Sequence, residues 1–103
     1  MTPLQVTYRA TGLIGVAGEI DLGNADVFAS AVLELWDGRS DLVLEVADMT
    51  FIDSSGIGAL ASLARATHCE IVRGARPNVV KVLGLVGFTN GNGLVRLEGT
   101  AAR

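Results

Sequence analysis

The fold can be worked out from one segment, Asp48-Met49-Thr50-Phe51-Ile52-Asp53-Ser54-Ser55-Gly56-Ile57-Gly58-Ala59-Leu60. An apolar run, residues 41–46, precedes it and is typical of a strand. Small and apolar residues, 61–65, follow it and continue a helical pattern. The segment is therefore predicted to be an acidic, hydroxyl-rich turn between a strand and a helix. The functional residues of a small domain are expected at such a turn.

Apolar residues after the turn recur at the i, i+3, i+4, i+7 spacing of one buried helix face. They are Ile57, Leu60, Ala61 and Ala64. Asp53 or Ser54 then falls at the N-cap, where a side-chain oxygen can accept a hydrogen bond from an unpaired backbone N–H of the first turn. Neither residue is followed three positions later by Glu or Gln, so we predict a cap without the reciprocal capping box.

The composition fits one domain with one core. The chain has 103 residues, 50% of them hydrophobic, which is enough for a single core and too little for two. No apolar run approaches the ~20 residues that span a bilayer. The start, Thr2-Pro3-Leu4-Gln5, lacks the basic and apolar regions of a signal peptide. We therefore expect a single domain over residues 1–103 that is soluble and cytoplasmic.

Charge and cysteine content narrow the function. The net charge is -3 and the eight basic residues are dispersed, so no basic stripe for nucleic acid is predicted. Cys69 is the only cysteine, which excludes an internal disulfide and offers no metal framework. A buried inert thiol is favoured over a redox sensor at Cys69, and no metal site is predicted.

The order of elements is predicted to be β-β-α-β-α-β-α-β, which gives an α/β fold with about three α-helices packed on a small mixed sheet. The predicted strands are residues 6–9, 13–17, 42–46, 70–73 and 94–97, and residues 99–103 are predicted to be a frayed tail. The first helix begins near Asn24 and has a broad apolar stripe that we expect to be buried. Its members are Val27, Phe28, Ala31, Val32, Leu33 and Leu35.

The turn Asp53-Ser54-Ser55-Gly56 resembles the signature of the STAS domain, in particular that of bacterial anti-sigma factor antagonists. Gly18-Glu19-Ile20-Asp21-Leu22 resembles the family's turn after its second strand, and residues 76–88 resemble its penultimate helix and following loop. The three segments occur in the family's order, and the resemblance covers roughly residues 4–97. Only residues 66–69 separate the central helix from the next strand, so this helix is expected to be shorter than is usual in the family.

The resemblance implies an anti-sigma factor antagonist that is phosphorylated on Ser54, with Ser55 as the second candidate. Unphosphorylated, it would dock on a kinase-type anti-sigma factor and so release the sigma factor for transcription. The kinase would then phosphorylate Ser54 with its own Mg-ATP, and a separate protein phosphatase would reset the switch. The domain itself would need no cofactor, and we expect it to be a monomer. The free N–H groups and the dipole of the helix N-terminus are expected to stabilise the phosphate.

The partner-binding surface is expected to combine the loop at Asp21 with the motif end of the central helix. Its predicted members are Asp21, Asp53, Ser54, Ser55, Gly56, Gly58 and Ser62. Two interpretations of Asp21 stay open: a turn carboxylate that bonds its own backbone, or a residue beside the phosphorylation site, as the resemblance implies. The small residues Gly58, Ala59 and Ser62 either admit a partner closely or pack the helix against its own domain.

The sequence leaves three other functions to consider. Ser54, Asp53 and His68 are the residue types of a catalytic triad, but His68 lies fourteen residues after Ser54, about 20 Å along a helix, and no Gly-x-Ser-x-Gly elbow is present. The chain is therefore not predicted to be an enzyme. Lys81, the only lysine, is not in a phosphate-binding loop. The remaining alternative is a non-switching STAS module that regulates an ATPase, either in a lipid-transport ABC complex or in a stressosome scaffold.

Overall fold

The computed structural model describes residues 3–67, 70–85 and 95–100 of the chain. Within these residues, the elements follow the predicted order β-β-α-β-α-β-α-β. The strands are β1 (Gln5–Ala10), β2 (Leu13–Ile20), β3 (Leu42–Ile52), β4 (Glu70–Ala75) and β5 (Val95–Thr100). The helices are α1 (Ala25–Leu35), α2 (Ser54–Thr67) and α3 (Pro77–Leu85).

The strands form one mixed sheet in the order β1-β2-β3-β4-β5. β1 and β2 are antiparallel because a short turn containing Gly12 joins them, whereas each later pair is parallel. Parallel neighbours need a crossover connection, and α1 and α2 provide two of them. The α/β fold with a small mixed sheet and three helices is thus confirmed for the described residues.

One apolar core lies between the helices and one face of the sheet. Alternate residues of the strands point into it, and all three helices contribute to the same cluster. Its largest fully buried side chains include Phe28, Ile14, Ile20, Leu42, Leu44, Met49, Leu60, Leu63 and Leu83. The motif helix α2 buries Ile57, Leu60 and Ala64 as the spacing predicts, while Ala61 is half-buried.

The opposite face of the sheet carries charged side chains in a row. Glu45 Oε1 lies 3.3 Å from Arg9 Nε, and Arg73 lies between Glu45 and Glu98 at 4.0 and 3.2 Å. These ion pairs are partly exposed, and such pairs contribute only about 0–1 kcal/mol each to the free energy of unfolding.

β3 is longer than predicted, because residues 48–52 continue the strand instead of forming a turn. The pairing of β3 with β2 shifts register twice, between Gly15 and Ala17 and between Gly18 and Glu19. Each shift breaks the strict alternation of side chains, so Met49 and Ile52 both reach the core. Asp48 and Thr50 interrupt the apolar residues of this part of β3, so the segment does not show the regular alternation of a strand.

The last part of β3 extends beyond its pairing with β4, which ends at Glu45. Side chains just before and at the start of α3 bond to this edge instead. Arg76 Nε donates to the Ala47 carbonyl oxygen at 2.7 Å, and Asn78 Nδ2 donates to the Thr50 carbonyl oxygen at 3.0 Å. α3 therefore helps to fix the strand that leads into the motif.

The other boundaries differ from prediction in smaller ways. β2 runs to Ile20, so Gly18, Glu19 and Ile20 belong to a strand and the turn begins at Asp21. β5 includes Gly99, which was predicted to lie in a frayed tail. The predictions for His68, Cys69 and residues 101–103 lie outside the described residues.

The apolar stripe of α1 is only partly buried. Phe28 and Val32 are fully buried, one turn apart, but Val27 is 63% exposed and Leu33 is 41% exposed. The prediction that Val27 and Leu33 are buried is therefore wrong. The stripe is wider than the single face that the sheet and α2 can cover. None of the helices in the described ranges has the length and hydropathy needed to cross a membrane.

Candidate functional site

Two loops that the sequence singled out begin side by side at one edge of the sheet. β2 and β3 are parallel neighbours whose last residues, Ile20 and Ile52, are register partners. The backbone N–H of Asp53 donates to the Ile20 carbonyl oxygen at 3.2 Å. Asp21 and Asp53 therefore each follow directly on a strand end at the same edge.

Asp53 is the N-cap of α2. Its Oδ1 accepts hydrogen bonds from the backbone N–H groups of Ser55 at 2.8 Å and Gly56 at 3.2 Å. Its carbonyl oxygen accepts the first bond of the helix, from the Ile57 N–H at 3.0 Å. Of the two cap candidates, the structure selects Asp53, which leaves the hydroxyl group of Ser54 without this role.

Replacement of the cap provides a first prediction. Asp53→Ala should lower the free energy of unfolding by about 1 kcal/mol, because two amide groups of α2 lose their acceptor. Asp53→Asn retains an acceptor oxygen and should stay within a few tenths of a kcal/mol of wild type. Urea unfolding measures both. Equal stability of Asp53→Ala and wild type would show that these bonds do not cap the helix in solution.

Ser54 is exposed at the first position of α2, whereas Ser55 is half-buried. No hydrogen bond involves the Ser54 hydroxyl group among the residues that the structure describes. A rigid helix end thus presents a free hydroxyl group to solvent. Of the two candidate serines, Ser54 is the more accessible to a modifying enzyme.

Most of the amide groups expected to stabilise a phosphate are already occupied. Asp53 Oδ1 takes the N–H groups of Ser55 and Gly56, and the Asp53 carbonyl oxygen takes that of Ile57. The positive end of the helix dipole remains. A phosphate on Ser54 would compete with the Asp53 carboxylate for the Ser55 and Gly56 donors, so the expectation of free N–H groups is wrong for these two residues. The N–H of Ser54 itself has no acceptor among the described residues.

Asp21 holds its own turn together. Its Oδ1 accepts a hydrogen bond from the Gly23 N–H at 2.9 Å, and its N–H donates to Asn24 Oδ1 at 2.9 Å. Asn24 Nδ2 in turn donates to the Glu19 carbonyl oxygen at 2.9 Å. The interpretation of Asp21 as a turn carboxylate is supported by these bonds. Its place beside Asp53 leaves the second interpretation, a role next to the motif, compatible with the geometry.

Gly56 is buried where α2 crosses the ends of β2 and β3. A Cβ at this position would lie 2.6 Å from Ile52 Cγ1 and 2.8 Å from Ile20 Cγ2, closer than real Cβ atoms approach their neighbours. Gly56, predicted to be a partner contact, thus serves packing inside the domain. It allows α2 to start directly against the two strand ends.

The small residues of α2 differ in their surroundings: some pack inside the domain and others are free to meet a partner. Ala59 is buried in the core, so it packs the helix against its own domain. Gly58 and Ser62 are exposed, and a Cβ at Gly58 would meet nothing within 4 Å. The fold therefore does not require glycine at position 58.

Two exposed apolar side chains near the motif were not identified from the sequence. Leu22, next to Asp21 in the turn, is 83% exposed, and Phe51, near the end of β3, is 46% exposed. For Leu22 the sequence contains a signal of exposure, an apolar residue within a polar turn. For Phe51 the sequence contains no such signal, because its segment is predicted to be a turn. Both add apolar surface to the edge that carries Ser54.

Comparison with known proteins agrees with this geometry. The structure of the anti-sigma factor antagonist SpoIIAA in its unphosphorylated form matches with a TM-score of 0.57 and 17% sequence identity, over 81% of this chain and 83% of that one. This likeness shows that the fold is shared. No curated protein sequence matches the chain. The model of the STAS domain family matches residues 3–98, nearly the full sequence. The chain therefore belongs to the STAS domain family.

Proposed function

We propose that this STAS domain is an anti-sigma factor antagonist that phosphorylation of Ser54 switches off. Unphosphorylated, it binds a kinase-type anti-sigma factor and thereby releases the sigma factor. The observation that carries the proposal is the exposed, unbonded Ser54 hydroxyl group at the start of α2, beside the Asp21 loop. The fold shared with an anti-sigma factor antagonist supports it.

The bound partner is well placed to modify the domain. It transfers the γ-phosphoryl group of its Mg-ATP to Ser54 Oγ: the new O–P bond forms, the bond to the β,γ-bridging oxygen breaks, ADP leaves, and a base of the kinase takes the hydroxyl proton. The domain contributes position, because the Asp53 cap and the buried Gly56 hold the start of α2. A separate phosphatase reverses the modification.

The phosphate acts on binding through charge. It adds about -1.5 to -2 charges next to Asp53 and on the same edge as Asp21. The N–H groups of Ser55 and Gly56 are occupied by Asp53, so only the Ser54 N–H and the helix dipole are left to compensate for this charge. Burying it against a surface that fits a neutral hydroxyl group costs desolvation and repulsion. A loss of ~3 to 4 kcal/mol lowers affinity a few-hundred-fold, which suffices for a switch.

The proposal is tested by titrating the unphosphorylated domain into complexes of candidate kinase-type anti-sigma factors and their sigma factors from the same organism. We expect one complex to exchange the sigma factor for this domain, as seen by size-exclusion chromatography. Exchange should fail with enzymatically phosphorylated domain. If no candidate exchanges its sigma factor, the chain is not an antagonist of this class.

Substitution of Gly58 should change the stability of the domain and its affinity for the partner in opposite directions. Gly58→Ala should raise the free energy of unfolding by about 0.5–1 kcal/mol, because alanine has the higher helix propensity and its Cβ meets nothing. The same Cβ should weaken partner binding, since a close helix contact has no room for it. Ala66→Gly, at the exposed far end of α2, is the inverse control: it should lower stability and leave affinity unchanged. Unchanged affinity of Gly58→Ala would remove Gly58 from the interface.

A further inference from the structure

Asn24 occupies the N-cap position of α1 but does not cap the helix with its side chain. Its backbone lies at φ -134° and ψ 3°, and its side chain makes no hydrogen bond to the first turn of α1. An N-cap asparagine usually accepts a hydrogen bond from a backbone N–H two or three residues further on. The side chain of Asn24 therefore serves something other than the start of its own helix.

The side-chain amide of Asn24 binds the preceding residues with both of its polar atoms. Oδ1 accepts a hydrogen bond from the Asp21 N–H at 2.9 Å, and Nδ2 donates to the Glu19 carbonyl oxygen at 2.9 Å. One partner is a donor and the other is an acceptor, so the pair of bonds requires a carboxamide, which has both functions. One side chain thus ties the end of β2 to the loop that follows it.

Three further hydrogen bonds close the Asp21 loop, residues 21–24. Asp21 Oδ1 accepts the N–H of Gly23 at 2.9 Å. The Asp21 carbonyl oxygen accepts the N–H groups of Asn24 at 3.2 Å and Ala25 at 2.9 Å. These three bonds lie within the loop or join it to α1, whereas the bond from Asn24 Nδ2 reaches back to β2. Loss of the Asn24 amide is therefore expected to loosen the loop from the strand end.

The Asp21 loop presents an exposed leucine beside the edge that carries Ser54. Leu22 is 83% exposed, more than any other large apolar side chain of the described residues. A single exposed leucine is common on protein surfaces and by itself indicates nothing. This leucine, however, lies in a loop fixed by hydrogen bonds, two residues after Ile20, whose carbonyl oxygen accepts the Asp53 N–H at 3.2 Å. A partner that reaches Ser54 therefore has Leu22 within reach in a fixed position.

We propose that Asn24 is a positioning residue for partner binding: its side-chain amide holds the Asp21 loop in the conformation that presents Leu22 to an apolar pocket of the anti-sigma factor. A loop that is ordered before binding loses less conformational entropy on binding than a mobile one. Asn24 acts through the loop and needs no contact with the partner. The inference rests on the proposed function, because it concerns the same partner and the same edge of the sheet.

The first experiment measures, by calorimetry, affinity for the anti-sigma factor that exchanges its sigma factor for the domain. Asn24→Ala and Leu22→Ala should each weaken binding about tenfold. In the Leu22→Ala background, Asn24→Ala should cost about threefold or less, because the loop then has no leucine to present. Thr67→Ala removes a buried hydrogen bond to the Leu63 carbonyl oxygen, at the far end of α2. This control should lower stability and leave affinity unchanged.

Two results would overturn the inference while the antagonist function stands. One is wild-type affinity of Asn24→Ala. The other is an equal loss of affinity on Asn24→Ala with and without the Leu22 side chain, since a residue that acts through the loop cannot be independent of what the loop presents.

A second experiment needs no partner. Backbone amide hydrogen exchange is measured by NMR on the 15N-labelled wild type and on Asn24→Ala. The Asp21 amide should exchange at least tenfold faster in the variant, because it loses its acceptor. The Ser55 and Gly56 amides, which bind Asp53, should exchange as in wild type. Unchanged exchange at Asp21 would show that the loop does not depend on Asn24 and would overturn the inference, even if no anti-sigma factor had bound.

Discussion

Ser54→Asp should bind the kinase-type anti-sigma factor roughly 30- to 150-fold more weakly than wild type, a loss of about 2–3 kcal/mol. Ser54→Ala should bind at least as tightly as wild type and should not be released by Mg-ATP. The reason is electrostatic. The aspartate places a negative charge on the edge that already carries Asp21 and Asp53, whereas the alanine can be neither charged nor phosphorylated.

Both Ser54 variants should fold, because the Ser54 hydroxyl group makes no bond that the fold needs. Thermal unfolding confirms this before affinity is measured by calorimetry. Ala66→Asp places the same charge at the exposed far end of α2 and should leave affinity unchanged. If Ser54→Asp bound its kinase as tightly as wild type, the charge-repulsion account would be wrong. A non-switching STAS module that regulates an ATPase would then be the better interpretation.

Gly56→Ala should lower the free energy of unfolding by about 1–3 kcal/mol, because an extra methyl group must enter a filled core. For a domain of this size, 1 kcal/mol corresponds to a shift in Tm of about 4–8 °C. The methyl group would meet Ile52 Cγ1 at 2.6 Å and Ile20 Cγ2 at 2.8 Å. Both isoleucines are themselves buried, with 3% and 0% exposure, so neither side chain can swing into solvent.

The added methyl group should also impair partner binding, because α2 has to move away from the strand ends that carry the Asp21 loop. Gly58→Ala is the matched control. The two substitutions are chemically identical and two residues apart on one helix, yet they should change stability in opposite directions. An unchanged unfolding midpoint for Gly56→Ala would mean that α2 packs on Ile20 and Ile52 less closely than the structure shows.

The architecture of the site could be predicted because its signals are local. The order of strands and helices follows from hydrophobic periodicity, and the start of α2 follows from an aspartate directly before a helical stripe. The resemblance of the Asp53-Ser54-Ser55-Gly56 turn to the STAS signature is likewise local, and the match of the family model over residues 3–98 confirms it.

Features that depend on distant contacts could not be predicted. The length of β3 depends on two register shifts in its pairing with β2. The residues of β3 alone do not indicate where these shifts occur. The bond from Asn78 to Thr50 joins residues 28 positions apart. The use of Gly56 as a packing residue and the exposure of Val27 likewise depend on which neighbours occupy the space around each helix.

We propose that Ser54 is the residue through which a partner kinase switches this domain. The most direct measurement is the intact mass of the domain, followed by phosphopeptide mapping, after incubation with Mg-ATP and each candidate kinase-type anti-sigma factor. We predict that one kinase adds a single phosphate, that the phosphate maps to Ser54, and that Ser54→Ala stays unmodified. A phosphate on Ser55 alone, or a stable complex with an ATPase in which no serine is ever modified, would contradict it.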